Sequence, residues 1–107
     1  MPVTLTDASV VVKAEMKDLS ASGVYCALDQ FIPPMTKLQL TFDLVQGAHR
    51  STIRCAGVVV RIEPSITMTM RAQYDVAIFF TELAARHRAA ITRFVRRRLA
   101  AHPSASA

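Results

Sequence analysis

The sequence predicts a mainly β fold, a small antiparallel barrel or sandwich, followed by one C-terminal α-helix. Three observations predict it. Apolar and polar residues alternate in short runs up to Phe80, turn-forming clusters separate those runs, and the period then changes abruptly to a helical one. At 107 residues, 51% of them apolar and 20% charged, the chain is long enough to bury one core and too apolar for disorder.

The elements follow in order. Val10-Val11-Val12 opens a strand reaching about Met16, with Val10, Val12, Ala14 and Met16 on one face and Lys13, Glu15 and Lys17 on the other. Asp18 to Gly23 is a turn of small residues, and Val24 to Leu28 is a second short strand. The following loop carries Pro33-Pro34, which cannot donate to a central ladder. Lys37 to Asp43 alternates cleanly, placing Leu38, Leu40 and Phe42 inward. Gln46 to His49 connects a hairpin, and Thr52 to Ile62 is a long strand in which Gly57 marks a bend or bulge. After a turn at Glu63-Pro64-Ser65, Ile66 to Arg71 and Tyr74 to Phe80 complete six strands. Thr81 then suits an N-cap and Glu82 the positive end of a helix dipole. At about 100° per residue, Leu83, Ala84, Ile91, Phe94 and Val95 share one side. Arg86, Arg93, Arg96 and Arg97 share the other. The expected organisation is one domain over residues 1–100, with strands within about 8–80 and a helix over about 82–100. A frayed tail, 101–107, begins just before Pro103.

Charge is segregated. The net charge is +5, and residues 82–99 alone hold six arginines against Glu82, leaving seven basic and seven acidic residues elsewhere. A solvated face that offsets the helix dipole, a docking surface for a protein or other anionic partner, and a nucleic-acid contact all fit such a helix. The β region lacks the aromatic-and-basic interleaving of single-strand binders, which makes nucleic acid the weaker reading. No apolar run approaches the roughly 20 residues that span a bilayer, and MPVTLTDAS lacks the zones of a secretory signal. The expectation is a cytoplasmic protein with Cys26 and Cys55 as buried free thiols. His49, His87 and His102 have no metal-site spacing with the cysteines, and Ser20 has no histidine near it in sequence. No catalytic residue, metal or cofactor is expected, and no enzyme.

The most specific local motif is Asp18-Leu19-Ser20-Ala21-Ser22-Gly23. Gly23 permits a positive φ and a close backbone approach. The oxygens of Asp18 and Ser20 accept from turn amides or from the edge of a purine. Alone, this is an ordinary turn composition. In context, DLSASG followed by VYCAL resembles the DxSxxG signature of the PilZ family. Cys55 to Arg61 (CAGVVVR), Tyr74 to Phe80 (YDVAIFF) and a helix opening TEL follow in the family's order, so the resemblance covers roughly residues 8–99. It implies a six-stranded antiparallel barrel with a C-terminal helix and a bacterial signalling role as a receptor for cyclic di-GMP. Asp18, Ser20 and Gly23 would then contact a guanine or its ribose-phosphate frame.

Half of the family's nucleotide signature is missing. PilZ receptors carry RxxxR ahead of the first strand, where two guanidiniums clamp phosphates and stack on guanine. Here the first arginine is Arg50, only Lys13 and Lys17 precede DLSASG, and Ala77 stands where the family commonly has glycine. The pairs Arg50/Arg54 and Arg93/Arg97 have the spacing but follow the turn motif. A charge-assisted hydrogen bond is worth roughly 1.5–3 kcal/mol, so losing two such residues weakens binding by about 10²–10⁴-fold. Three readings follow: a cyclic di-GMP effector whose binding is weak or completed by residues ahead of Met1, an adaptor acting through a protein partner without nucleotide, and, less well supported, a nucleic-acid module.

Overall fold

The computed structural model describes residues 1–8, 10–65 and 72–101. Its strands are β1 (Pro2–Asp7), β2 (Val10–Leu19), β3 (Gly23–Leu28), β4 (Lys37–Gln46), β5 (His49–Pro64) and β6 (Tyr74–Glu82), followed by helix α1 (Ala85–Ala101). Every pairing is antiparallel, and the order β1-β2-β3-β6-β5-β4 returns to β1, so the sheet closes into a barrel without a free edge.

The period-two pattern dictates which residues fill the barrel. Val12 and Ala14 of β2, Leu38, Leu40, Phe42 and Leu44 of β4, and Val76, Ile78 and Phe80 of β6 point inward and are buried. Val10, expected on the inner face, is instead exposed: it is the first residue of β2, paired with Asp7 at the turn end of the β1–β2 hairpin. No charged or polar residue is buried among the described residues. Phe42 and Phe80 stack at 6.4 Å between centroids. Cys26 and Cys55 are free and buried, and desolvation pushes their thiols up to about 12 and about 11. The barrel is open only at its ends, and α1 covers one of them. Ile91 is fully buried and Phe94 nearly so, both joined to the barrel core.

Two expectations change, and a third is not tested. The strands begin at Pro2, not near residue 8: Val3 and Leu5 are fully buried, and Leu5 lies between Val12 of β2 and Leu40 of β4. The strand expected at Ile66–Arg71 falls outside the described residues, so β1 supplies the sixth strand here. The helix begins at Ala85, and Thr81 is no N-cap. Glu82 still pairs with Ala56 of β5, which holds Thr81 and Glu82 in β6. The first helical bonds run from the His87 and Arg88 N–H groups to the Ala84 carbonyl. Leu83 therefore packs on the core from the connection and not from the helix face.

Candidate functional site

The DLSASG segment is more strand than expected. Asp18 and Leu19 end β2 and Gly23 starts β3, which leaves Ser20 to Ser22 as the turn. The turn is held by its own polar groups. The Ser20 N–H donates to the Gly23 carbonyl at 2.9 Å, the Ser22 N–H donates to Ser20 Oγ at 3.2 Å, and Asp18 Oδ1 accepts from the Leu19 N–H at 2.9 Å. Gly23 does not use a positive φ. Its role is close approach: a Cβ there would lie 2.3 Å from the Ile78 carbonyl oxygen of β6.

Two neighbours clamp the turn from outside it. The Phe80 N–H donates to the Ser22 carbonyl at 2.9 Å, and Arg88 of α1 donates from Nη1 to the Ala21 carbonyl at 2.9 Å. Arg88 is a helix arginine that the two-faced wheel did not single out, because it lies between the two sides. Only docking of α1 on the barrel end brings it to a turn 67 residues away in sequence.

Beside the turn, the outer face of β2, β3, β6 and β5 forms a shallow depression of ≈ 240 Å³. Asp18, Ser20, Ser22 and Gly23 form one side of it, and Tyr25, Val60, Ala77 and Phe79 complete it. Two bulges shape this face. Lys17 is the extra residue between the pairs Met16–Cys26 and Asp18–Tyr25, so Lys17 and Asp18 both face solvent. Val60 is the extra residue between Val59–Ile78 and Arg61–Ala77, so Val60 and Arg61 do the same. Across the strands, Tyr25 pairs with Ala77 and Ala77 with Arg61. The face thus carries a cation on each flank. Lys17 is paired with Asp75 at 3.1 Å and stands over the Tyr25 ring at 5.6 Å, and Arg61 is paired with Glu63 at 3.2 Å. Alternation already placed Lys17 on an outer face, but it cannot announce a bulge, so it gave no sign that Asp18 and Arg61 would turn outward as well. Of the residues that sequence reasoning named, the structure gathers Asp18, Ser20 and Gly23.

Arg86, Arg93, Arg96 and Arg97 are elsewhere. All four are exposed on α1, and none of them lines the depression beside the DLSASG turn. Arg93 and Arg97 line a groove with His49 and Ser51 of the β4–β5 hairpin, where Arg97 reaches Gln46 Oε1 at 3.4 Å. His87 is half-buried and its Nδ1 lies 3.3 Å from the Arg54 carbonyl. Among the described residues, no three metal-ligating side chains come together, and no helix is long and apolar enough to cross a membrane.

Comparisons agree with this geometry. The structure of the Bacillus subtilis inhibitor of motility (MotI/DgrA) is similar to it, with a TM-score of 0.77 and 21% sequence identity. The similarity covers 92% of this chain and 46% of that one, so this chain spans about half the length of that protein. Comparison with curated protein sequences gives no significant match. The family model described as PilZ domain matches residues 1–97, which takes in all six strands and most of α1. A closed six-stranded barrel, a DLSASG turn between β2 and β3, a capping helix and a family match over nearly the whole chain point one way: this chain belongs to the PilZ domain family.

Proposed function

We propose that this domain is a cytoplasmic bacterial signalling module that takes cyclic di-GMP on the DLSASG face, with a binding and not a catalytic role. The observation that carries the reading is the turn itself, held by its serines and clamped by Phe80 and Arg88 beside an open depression. Asp18 and Ser20 supply acceptors for a guanine edge, and Tyr25 and Phe79 supply flat apolar surface for a base. Lys17 and Arg61 supply charge for the phosphates, though each must first leave a carboxylate, Asp75 or Glu63. Those competing carboxylates, and the lack of arginines ahead of DLSASG, make the expected affinity of residues 1–107 low.

Met1 lines the same cleft as Lys17 and Asp18, so a segment joined ahead of it starts beside the turn. Isothermal titration with cyclic di-GMP should give weak binding for the chain as it stands. An Arg-x-x-x-Arg segment fused ahead of Met1 should tighten it by about 10²–10⁴-fold. No heat from either protein would sink the nucleotide reading. A second reading, a nucleotide-independent adaptor, has its own support: Val60 and Phe79 are each about half exposed on this face, at 53% and 52%. Large apolar side chains left on an outer barrel surface suit protein contact.

A further inference from the structure

The arginines of α1 are not accounted for by the helix or the barrel. Among the described residues the ion pairs are Met1–Glu15, Lys17–Asp75, Arg50–Asp43 and Arg61–Glu63, and none involves α1. Among the described residues, only Arg88 and Arg97 of the six make side-chain hydrogen bonds to the barrel, both to neutral acceptors. Dipole compensation covers the arginines near the C-terminal end, but Arg86 lies in the first turn, where a cation is disfavoured and no acidic residue balances it. The charge is therefore held at a cost, which points outward to a partner.

Beside these arginines runs a shallow, open groove. Between α1 and the β4–β5 hairpin, a groove of ≈ 610 Å³ is lined by Val45, Gln46, Phe94, Arg97 and Arg98, among others. Arg97, with Gln46 and Phe94, also lines the neighbouring groove that holds Arg93 and His49, so the two adjoin. Val45 is 49% exposed there, a large apolar residue at the end of a strand whose inner positions are all buried. An apolar floor with guanidiniums along its rim calls for an occupant that is apolar on one side and acidic on its flanks.

We infer that the groove between α1 and the β4–β5 hairpin is a docking site for an acidic amphipathic peptide segment of a protein partner, gripped by Arg93, Arg97 and Arg98 around Val45 and Phe94. The arrangement of apolar surface argues for this occupant over other anions. A membrane needs several apolar side chains projecting outward, whereas of Val45 and Phe94 only Val45 is exposed. Nucleic acid gains little from an apolar floor, and among the described residues no exposed aromatic stands beside these arginines for a base to stack on. A peptide helix that inserts one or two side chains and flanks them with glutamates satisfies both parts. None of the groove's lining residues belongs to the DLSASG depression, but Met1, Phe94 and Arg98 also line the cleft that reaches Lys17 and Asp18, so peptide binding is measured without nucleotide.

The test uses the whole chain and a labelled peptide with leucines at helical spacing flanked by glutamates. Fluorescence anisotropy should show salt-dependent binding, with amide shifts confined to α1 and the β4–β5 hairpin. The exposed pair Arg93→Glu/Arg97→Glu should weaken it by roughly tenfold or more. Val45→Ser should weaken it without altering its salt dependence. Circular dichroism should confirm that both variants remain folded. Equal binding of polyglutamate would overturn the proposal by reducing the site to general charge. So would tighter capture by duplex DNA or by phosphatidylserine vesicles, or a double variant that binds like the parent.

Discussion

At the scale of single residues, the site depends on how closely backbones approach. Gly23 is the clearest case, because β3 meets β6 there with no room for a methyl group: the Ile78 carbonyl oxygen would lie 2.3 Å from it. Gly23→Ala should therefore destabilise the barrel by about 2 kcal/mol or more, the cost of overpacking against a backbone that cannot yield. The urea midpoint reports this directly, and an unchanged midpoint would show that β3 can shift away. Gly57 belongs to the same class, since its missing Cβ makes room for the Ile78 side chain and the Phe79 carbonyl oxygen at the β5–β6 bulge. The residue types at these positions are set by contacts across the sheet and not by turn conformation.

At the scale of elements, α1 is held mainly by two side chains. Ile91 and Phe94 fill the barrel end, while the rest of the inner helix face is only half-buried. Phe94→Ala should cost about 3 kcal/mol, the range for deleting a buried aromatic. It should also loosen the helix locally before the barrel unfolds, because the barrel keeps its own closed hydrogen-bond ladder. Amide exchange is the discriminating measurement: protection should fall in α1 and at the Ser20–Ser22 turn that Arg88 holds, with little change in β4 and β5. Uniform loss of protection would mean instead that helix and barrel fold as one unit.

For the whole molecule, burial decides how stability responds to pH. The two buried thiols are held neutral, with values about 12 and about 11 against an ordinary 9.0. Unfolding at high pH lets them ionise, so the unfolded state then binds fewer protons and stability falls as pH rises. Their contribution is complete below about pH 9 and is lost between 9 and roughly 11 to 12, at up to about 1.4 kcal/mol per pH unit per thiol. Denaturation series at pH 7 and pH 10 should separate by more for the parent than for a Cys26→Ala/Cys55→Ala variant. Equal separations would show that the thiols are solvated in the folded state. The molecule also divides its charge, with a near-neutral barrel and a cationic cap, so salt should affect partner binding more than folding.

Much of this was legible in the residues themselves. Alternation in Lys37 to Asp43, the helical spacing of Ile91 and Phe94, and the ordered motifs DLSASG, CAGVVVR and YDVAIFF are local patterns, and local patterns survive without coordinates. The Val3/Leu5 alternation of β1 was equally present, but six residues beginning at a proline give too short a run to distinguish from a lead-in. What the sequence by itself determined was the fold class, the buried cysteines, the PilZ resemblance and the gathering of charge on one helix. The tertiary structure alone decided that β1 closes the barrel, that bulges at Lys17 and Val60 turn Asp18 and Arg61 outward onto the DLSASG face, and that Arg88 reaches the turn while Arg93 and Arg97 line another groove. The physical reason is the same in each case. Strand closure, register slips and helix docking are set by contacts between segments far apart in the chain, and no window along the sequence contains both partners.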